Sequence, residues 1–191
     1  RANRVYVVLD MHQDAWGKYI ASPPGTVCGA TDEPAIGWDG APLWATLTDG
    51  ASTCRNPGFR ESAPAVVNAF RNFYADRDGI QTQFINAWAA VVREFANEPA
   101  VAGYDLINEP HFGNNLVNPA PQLAAFYARL VPAIRAAEQQ AGGASHIFKP
   151  RSVGEGMGRT WYAPWSSGSA YALPIQVGAK MTQMENRIVL T

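Results

Sequence analysis

The segment YDLINEPH, residues 104–111, carries an amide and a carboxyl group directly after an apolar stretch. A carboxyl group beside apolar residues has its charged form disfavoured, which suits a general acid, so Glu109 is the candidate acid/base. Asn108 can donate a hydrogen bond to a sugar hydroxyl or to a carboxylate. Pro110 ends the strand, which would let neighbouring side chains share one pocket, and His111 would contact substrate at its rim. The alternative is a surface glutamate followed by a turn proline.

A second polar cluster follows the apolar run VYVVLDMHQD, residues 5–14. His12 and Asp14 are two positions apart and can therefore share a face of a strand. We expect His12 to steady a nearby carboxylate and Asp14 to accept hydrogen bonds from substrate hydroxyls. A core histidine and a capping aspartate are the structural alternatives. A His-x-Asp pair can also offer two metal ligands, but three histidines without a His-x-His pattern favour no metal site.

Alternating strand and helix patterns place both clusters at strand ends. The predicted elements are a strand over 4–12, an irregular insert over 17–62, a helix capped by Ser62, a helix with its core stripe from Phe84 to Phe95, a strand over 101–108, a helix introduced by Pro119 and Pro121 and ended by Gly142 and Gly143, a strand over 146–153, and a strand from about Arg187. The continuously apolar first strand is typical of one buried on both faces of a parallel sheet. The order predicts an α/β fold with right-handed crossovers.

The positions of the polar residues favour a (β/α)8 barrel, in which the strand ends share the face that holds the active site. No glycine-rich phosphate loop follows a strand, so a dinucleotide-binding fold has little support. Because a complete barrel needs about 200–250 residues, we interpret residues 1–191 as a partial barrel, about strands 3 to 6, with the insert at 17–62 after strand 3. We expect about two strand–helix units before Arg1 and two or more after Thr191, as part of the same polypeptide or as a second chain.

Composition excludes several other classes of protein. The chain is 47% apolar and 16% charged with a net charge of −1, which is typical of a globular protein and argues against nucleic acid as a partner.

Cys28 and Cys54 both lie in the irregular insert. A disulfide between them would suit a secreted or cell-surface protein, and two free thiols in a cytosolic chain are the alternative.

The tryptophans divide into one core residue and a set in loops. Trp88 lies on a helical apolar stripe and is expected in the core. The loop set is Trp16, Trp38, Trp44, Trp161 and Trp165. Aromatic faces in such loops stack on sugar rings or apolar aglycones, although each residue alone is more typical of packing. Trp44 is included among the candidate substrate-binding residues.

The motifs VVLDMHQD and VAGYDLINEP, with the tryptophan- and proline-bearing insert between them, resemble glycoside hydrolase family 5. Within that family the resemblance is to the endoglycoceramidase-related branch, and it covers roughly residues 5–153. It implies that Glu109 is the general acid/base of a retaining hydrolysis and that Asn108 holds the hydroxyl next to the reacting carbon. It also implies that His12 and Asp14 line the glycone subsite and that no cofactor is needed.

The resemblance also implies a nucleophilic glutamate after the seventh barrel strand, which this chain does not contain. A retaining enzyme needs a second carboxylate about 5–5.5 Å from the first. The candidate substitutes are Asp10, Asp14, Asp105 and Glu155, of which only Glu155 is serious, and we expect the chain alone to be inactive.

Three functions stay open at this point. The first is a retaining β-glycosidase acting on a glycolipid or related β-glucoside, with peripheral membrane contact through the substrate. The second is a carbohydrate- or lipid-binding barrel without catalysis. The third is a metal-dependent amidohydrolase-like enzyme that uses His12 and Asp14.

Overall fold

Strands and helices alternate along the chain in the predicted order. A computed structural model describes residues 6–38, 40–111, 113, 120–143, 147–149, 181–184 and 187–190. The strands are β1 (Val7–Asp10), β2 (Glu33–Pro34), β3 (Cys54–Arg55), β4 (Val101–Asp105), β5 (Ile147–Lys149), β6 (Met181–Met184) and β7 (Arg187–Leu190), and the helices are α1 (Pro64–Tyr74), α2 (Ile80–Phe95) and α3 (Ala120–Gln140). None of the described helices combines the length and hydrophobicity needed to cross a membrane.

A parallel sheet in the order β1–β4–β5 positions the two polar clusters. The predicted α/β fold with parallel strands is therefore confirmed. The register pairs Asp10 of β1 with Asp105 of β4, so both strands end at the same level. Since β4 lies between two neighbours, its residues are mostly buried, with Tyr104 fully so.

The helices cover the sheet through an aromatic core. Trp88 of α2 is 1% exposed, as predicted, and its indole nitrogen donates to the carbonyl oxygen of Leu106 at 2.9 Å. Phe73 of α1 lies edge-on to Phe126 of α3, with ring centroids 5.1 Å apart. Such edge-to-face pairs add on the order of 1 kcal/mol to the stabilisation from burial. The indole contact ties this core directly to the chain that leaves β4.

Helix α1 begins without the predicted side-chain cap. The cap position is Ala63, and Pro64 occupies the first turn, where its fixed backbone angle suits helix initiation. Ser62 instead lies in a 3-10 turn, Arg60–Ser62, where its hydroxyl donates to the carbonyl of Phe59 at 2.7 Å. The prediction of a Ser62 cap was wrong because proline already accounts for one of the free backbone donors.

Strand β1 is less buried than its apolar sequence predicts. Val7 is 46% exposed and Val8 is 51% exposed. Within the described part of the chain β1 pairs only with β4, which makes it an edge strand. No second neighbour of β1 is among the described residues, so its burial on both faces stays a prediction for the complete barrel.

The predicted strand near Arg187 is present as β7, but its pairing differs from the expected parallel arrangement. It pairs antiparallel with β6, in a separate two-stranded sheet. Only two residues separate the two strands. A parallel connection needs a crossover of a dozen or more residues, whereas an antiparallel pair does not.

The insert at 17–62 is held together by short elements and a cross-link. Cys28 and Cys54 form the predicted disulfide, with Cα atoms 5.7 Å apart. Strands β2 and β3 pair antiparallel beside it. The insert is also attached to α1, where the amide of Ala65 donates to Ser52 and the side chain of Asn72 donates to Asp49, both at 2.9 Å. Residues 17–62 as a separate unit within the barrel stay a prediction.

Replacing Cys28 and Cys54 together by serine should lower the free energy of unfolding by about 3 kcal/mol, because the 26-residue cross-link restricts the unfolded chain. Urea titrations of the oxidised protein and the double variant measure this difference. Reduction of the wild-type protein should lower its stability to that of the variant and leave the variant unchanged. Equal stability of the oxidised wild type and the variant would show that the cross-link does not stabilise the fold.

Candidate active site

The backbone pairing of β1 and β4 continues past the strand ends and brings the two polar clusters together. The amide of Met11 donates to the carbonyl of Asp105 at 3.1 Å, and the amide of Asn108 donates to the carbonyl of Met11 at 3.1 Å. These contacts carry the chain after β1 alongside the chain after β4. Residues that are distant in sequence therefore share one edge of the sheet.

Gln13 fixes the position of Asn108 and was not among the predicted site residues. Its side chain is buried, it accepts from the Asn108 amide at 3.1 Å, and its amide nitrogen donates to the Asn108 carbonyl. A glutamine side-chain amide offers both a donor and an acceptor. It can therefore make the two backbone hydrogen bonds that a neighbouring strand would otherwise make. Its sequence position within the polar cluster is the signal that could have found it.

Asn108 is buried and directs its side chain at the other cluster. Its amide nitrogen donates to Asp14 Oδ1 at 2.5 Å and lies 3.4 Å from His12 Nε2. The predicted donation from Asn108 to a carboxylate is therefore present, and the carboxylate is that of Asp14. The side-chain oxygen of Asn108 is buried and has no hydrogen-bond partner within the described residues. A substrate hydroxyl is the kind of donor that it lacks.

His12 lies between two carboxylates. Its Nδ1 is 2.7 Å from Asp10 Oδ2, and its Nε2 is 3.1 Å from Asp14 Oδ1. The hydrogen bond to Asp10 is the largest influence and, with the charge of Asp14, raises the pKa of His12 above 6.5 against the opposing effect of partial burial. His12 steadies neighbouring carboxylates, as predicted, while half of its side chain stays accessible to solvent.

Arg60 joins the two clusters and was missed by the sequence reasoning. It donates from Nη1 to Asp14 Oδ2 at 2.8 Å and from Nη2 to Glu109 Oε2 at 2.9 Å. Glu109 therefore faces an ion pair instead of the predicted apolar surroundings. Arg60 lies at the end of the insert, 49 residues from Glu109, and no local pattern distinguishes it from other surface arginines.

The backbone at both carboxylates has a left-handed conformation. Asp14 has φ 37° and Glu109 has φ 39°. A residue other than glycine in this region costs on the order of 1–3 kcal/mol, and such strain is concentrated at functional sites. Because β4 has already ended at Asp105, this turn directs Glu109 towards Arg60 while Asn108 reaches Asp14. The turn therefore allows the neighbouring side chains of Asn108 and Glu109 to lie in one site, which a regular strand would not allow.

His111 lies in the core side of the site. It is 7% exposed, and its ring centroid is 5.8 Å from that of Phe70. Its carbonyl accepts from the hydroxyl of Tyr74 at 2.9 Å. Burial lowers the pKa of His111 to about 4. Its predicted position at the rim was wrong, and its contact with substrate stays a prediction.

The loop tryptophans occupy different environments. Trp16 is buried and lies edge-on to Phe70, with ring centroids 4.9 Å apart. The guanidinium carbon of Arg60 lies 5.2 Å from the centre of the Trp38 ring. Trp44 is 58% exposed and stays a candidate for substrate contact. Trp161 and Trp165 lie outside the described residues.

Among the carboxylates considered as substitutes for the nucleophile, two are held by hydrogen bonds or ion pairs and one is buried in the sheet. Asp14 uses Oδ1 for Asn108 and Oδ2 for Arg60. Asp10 pairs with His12, and Asp105 is buried at the end of β4. Glu155 lies outside the described residues. No described group of three or more histidine, cysteine, aspartate or glutamate side chains is arranged to hold a metal ion.

Helices that connect parallel strands, with polar side chains gathered where two of those strands end, are characteristic of a (β/α)8 barrel. Residues 1–153 match the cellulase family, glycosyl hydrolase family 5. The chain therefore belongs to glycosyl hydrolase family 5, and its fold is part of a (β/α)8 barrel.

Relatives of this chain include enzymes that are named for glycolipid substrates. The endoglycoceramidase of Cyanea nozakii is 33% identical over 169 residues, which cover 71% of this chain and 30% of that protein. A crystal structure of an endogalactoceramidase is 50% identical with a TM-score of 0.72, and the match covers 78% of this chain and 33% of that one. Endo-glycoceramidase II from Rhodococcus sp. with ganglioside GM3 is 36% identical with a TM-score of 0.59, at the same coverage.

The chain thus spans about a third of the length of these relatives. A separate local match, 62% identical over 48 residues, is to adenylylsulfate reductase subunit alpha of Megalodesulfovibrio gigas and covers 7% of that protein. A match over so small a part of that protein carries no argument about function.

His12 and His111 should titrate in opposite directions from the ordinary value of 6.5. We expect a pKa above 6.5 for His12 and about 4 for His111, measured from imidazole chemical shifts by NMR. Asp10→Asn should lower the pKa of His12, because the hydrogen bond to Asp10 is the main cause, and leave that of His111 unchanged. Two values near 6.5 would contradict the described environments.

The same shifts give the protein a pH dependence of stability. His12 adds to the free energy of unfolding below pH 6.5, and this stabilisation is lost as the pH rises through the raised pKa of His12. The contribution of His111 to stability has the opposite dependence on pH. The unfolded chain binds a proton at His111 near pH 6.5, whereas the folded chain binds it only near pH 4, so stability is lost as the pH falls between these values. His111→Phe should therefore reduce the loss of stability between pH 6.5 and 4, as measured by urea titration.

Proposed function

We propose that this chain supplies the acid/base half of the active site of a retaining β-glycosidase that cleaves a glycolipid or related β-glucoside. The observation that carries the proposal is Glu109, which lies just past the end of β4 beside Asn108 and is linked through Arg60 to the cluster after β1. Family 5 membership supports glycoside hydrolysis as the reaction. The names of the relatives support a glycolipid as the substrate.

The mechanism is a double displacement. In the first step Glu109 protonates the glycosidic oxygen while a carboxylate attacks the anomeric carbon, and the bond to the aglycone breaks. In the second step Glu109 removes a proton from water as the water oxygen bonds to the anomeric carbon. The bond from that carbon to the nucleophilic carboxylate breaks, and the sugar is released with its original configuration. The relative from Rhodococcus sp. has been observed as a lactosyl-enzyme intermediate, which supports the covalent step. We place the nucleophile outside this chain, and the reaction requires no cofactor.

The remaining site residues would bind the sugar. Asn108 has a buried oxygen without a partner and would accept from the hydroxyl beside the reacting carbon. Asp14 and His12 would line the glycone subsite, held in place by their mutual contact. Trp44, which is exposed, would stack on a sugar ring or an apolar aglycone.

The proposed setting is the outside of the cell. The disulfide between Cys28 and Cys54 supports an oxidising compartment, where such cross-links persist. A glycolipid substrate would bring the enzyme into peripheral contact with a membrane. The remainder of the barrel, in the same polypeptide or in a second chain, is the required partner.

Glu109→Gln in the complete barrel should lower kcat/KM for an alkyl glycoside by about 10²- to 10⁴-fold, the usual contribution of general acid catalysis. A 2,4-dinitrophenyl glycoside should be affected much less, because its leaving group departs without a proton. Steady-state kinetics on both substrates measure the difference. Glu94→Gln, which changes an exposed glutamate on α2, is the control and should leave both values unchanged.

Unchanged kinetics of Glu109→Gln with the alkyl glycoside would remove Glu109 from this role. Absence of turnover in the wild-type complete barrel would favour a carbohydrate- or lipid-binding protein without catalysis. The presence or absence of a glutamate after the seventh barrel strand separates the same two functions by sequencing alone.

A further inference from the structure

We infer that Arg60 is a positioning residue that determines which carboxyl oxygen of Glu109 transfers the proton. The inference rests on the proposed function of Glu109 and adds the insert to the catalytic machinery. The evidence is the bridge that Arg60 makes between Glu109 and Asp14.

The bridge assigns different roles to the two oxygens of Glu109. Arg60 Nη2 donates to Oε2 at 2.9 Å. A guanidinium carries only donors, so the oxygen that it contacts cannot present a proton to it. The contact makes Oε2 the acceptor of the pair and favours the proton of a protonated Glu109 on Oε1, which we take as the oxygen that faces the glycosidic bond.

The proton transfers then balance at named atoms. In the first step the Oε1–H bond breaks and that proton bonds to the glycosidic oxygen. The bond between that oxygen and the anomeric carbon breaks while the nucleophilic carboxylate bonds to the same carbon. Glu109 is left as a carboxylate, and Arg60 stabilises the negative charge through Oε2. In the second step Oε1 takes a proton from water as the water oxygen bonds to the anomeric carbon and the nucleophilic carboxylate leaves it. The contact from Arg60 holds the carboxyl plane of Glu109 in place throughout.

Arg60 is itself fixed by three further contacts. Its Nη1 donates to Asp14 at 2.8 Å, its Nε donates to Glu61 at 2.6 Å, and its guanidinium lies over the ring of Trp38. The planar guanidinium can make these contacts at once, whereas a lysine ammonium at the same place could not reproduce them. Three contacts other than that to Glu109 therefore orient Arg60.

The insert delivers Arg60 from a braced segment. Arg60 begins a 3-10 turn six residues after Cys54, which is cross-linked to Cys28. In the same segment, Arg55 forms an ion pair with Glu33 at 2.7 Å across the β2–β3 pair. Groups that must orient a reacting side chain perform best when their own support is rigid.

The test compares Arg60→Met with wild type in the complete barrel, using kcat/KM, which reports the first proton transfer. With an alkyl glycoside we expect a loss of about 10- to 100-fold, the usual effect of losing a hydrogen bond to a charged group. With a 2,4-dinitrophenyl glycoside we expect less than about a threefold change, because that leaving group needs no proton. Arg60→Lys should show the same dependence on the leaving group with a smaller loss, and it decides the question if Arg60→Met does not fold.

Two controls separate positioning from a general structural role. Arg55→Met removes an ion pair of the same insert that does not contact Glu109, and it should affect both substrates equally or not at all. In a Glu109→Gln background, Arg60→Met should cause little further loss with the alkyl glycoside, because the two residues act through one proton transfer.

Equal losses with both substrates, or losses that multiply with those of Glu109→Gln, would overturn the positioning role of Arg60. Such a result would leave the proposed function intact provided that Glu109→Gln itself depends on the leaving group. If Glu109→Gln shows no such dependence, the proposed function fails first, and the inference about Arg60 fails with it.

Discussion

The parallel pairing of β1 with β4 is the interaction on which the rest of the site depends. It aligns Asp10 with Asp105, and the backbone hydrogen bonds of Met11 extend the alignment beyond the strands. Without this register the chain after β4 would not lie beside the chain after β1, and Asn108 could not reach Asp14. The relative positions of the polar side chains are thus determined by hydrogen bonds between backbone groups.

The insert at 17–62 supplies the positively charged residue of the site. The strand ends bring carboxylate, imidazole and amide groups together, but Asp14 and Glu109 are both acidic and would repel each other when ionised. Arg60 provides a positive charge between them, and the disulfide and the β2–β3 pair support the segment that carries it. The stability of the insert and the position of Glu109 are therefore coupled.

Much of this arrangement could be predicted from the sequence, and the exceptions have physical reasons. Apolar runs and helical periodicity report local burial, so the strands, the helices and the core position of Trp88 followed from them. The antiparallel pairing of β7 depends on its neighbour β6, which the sequence of β7 alone does not record. Arg60 could not be found because its role arises only when the insert folds back over the strand ends, and His111 was misplaced because its burial depends on α1.

The most direct test of the account is the reaction of Glu109→Ala, in the complete barrel, with a 2,4-dinitrophenyl β-glycoside in the presence of azide. The small anion can enter the space left by the carboxylate and attack the glycosyl-enzyme without base catalysis. If Glu109 is the acid/base, azide should restore turnover and the product should be the β-glycosyl azide, identified by NMR of its anomeric proton. Formation of the α-glycosyl azide would make Glu109 the nucleophile and would contradict the account.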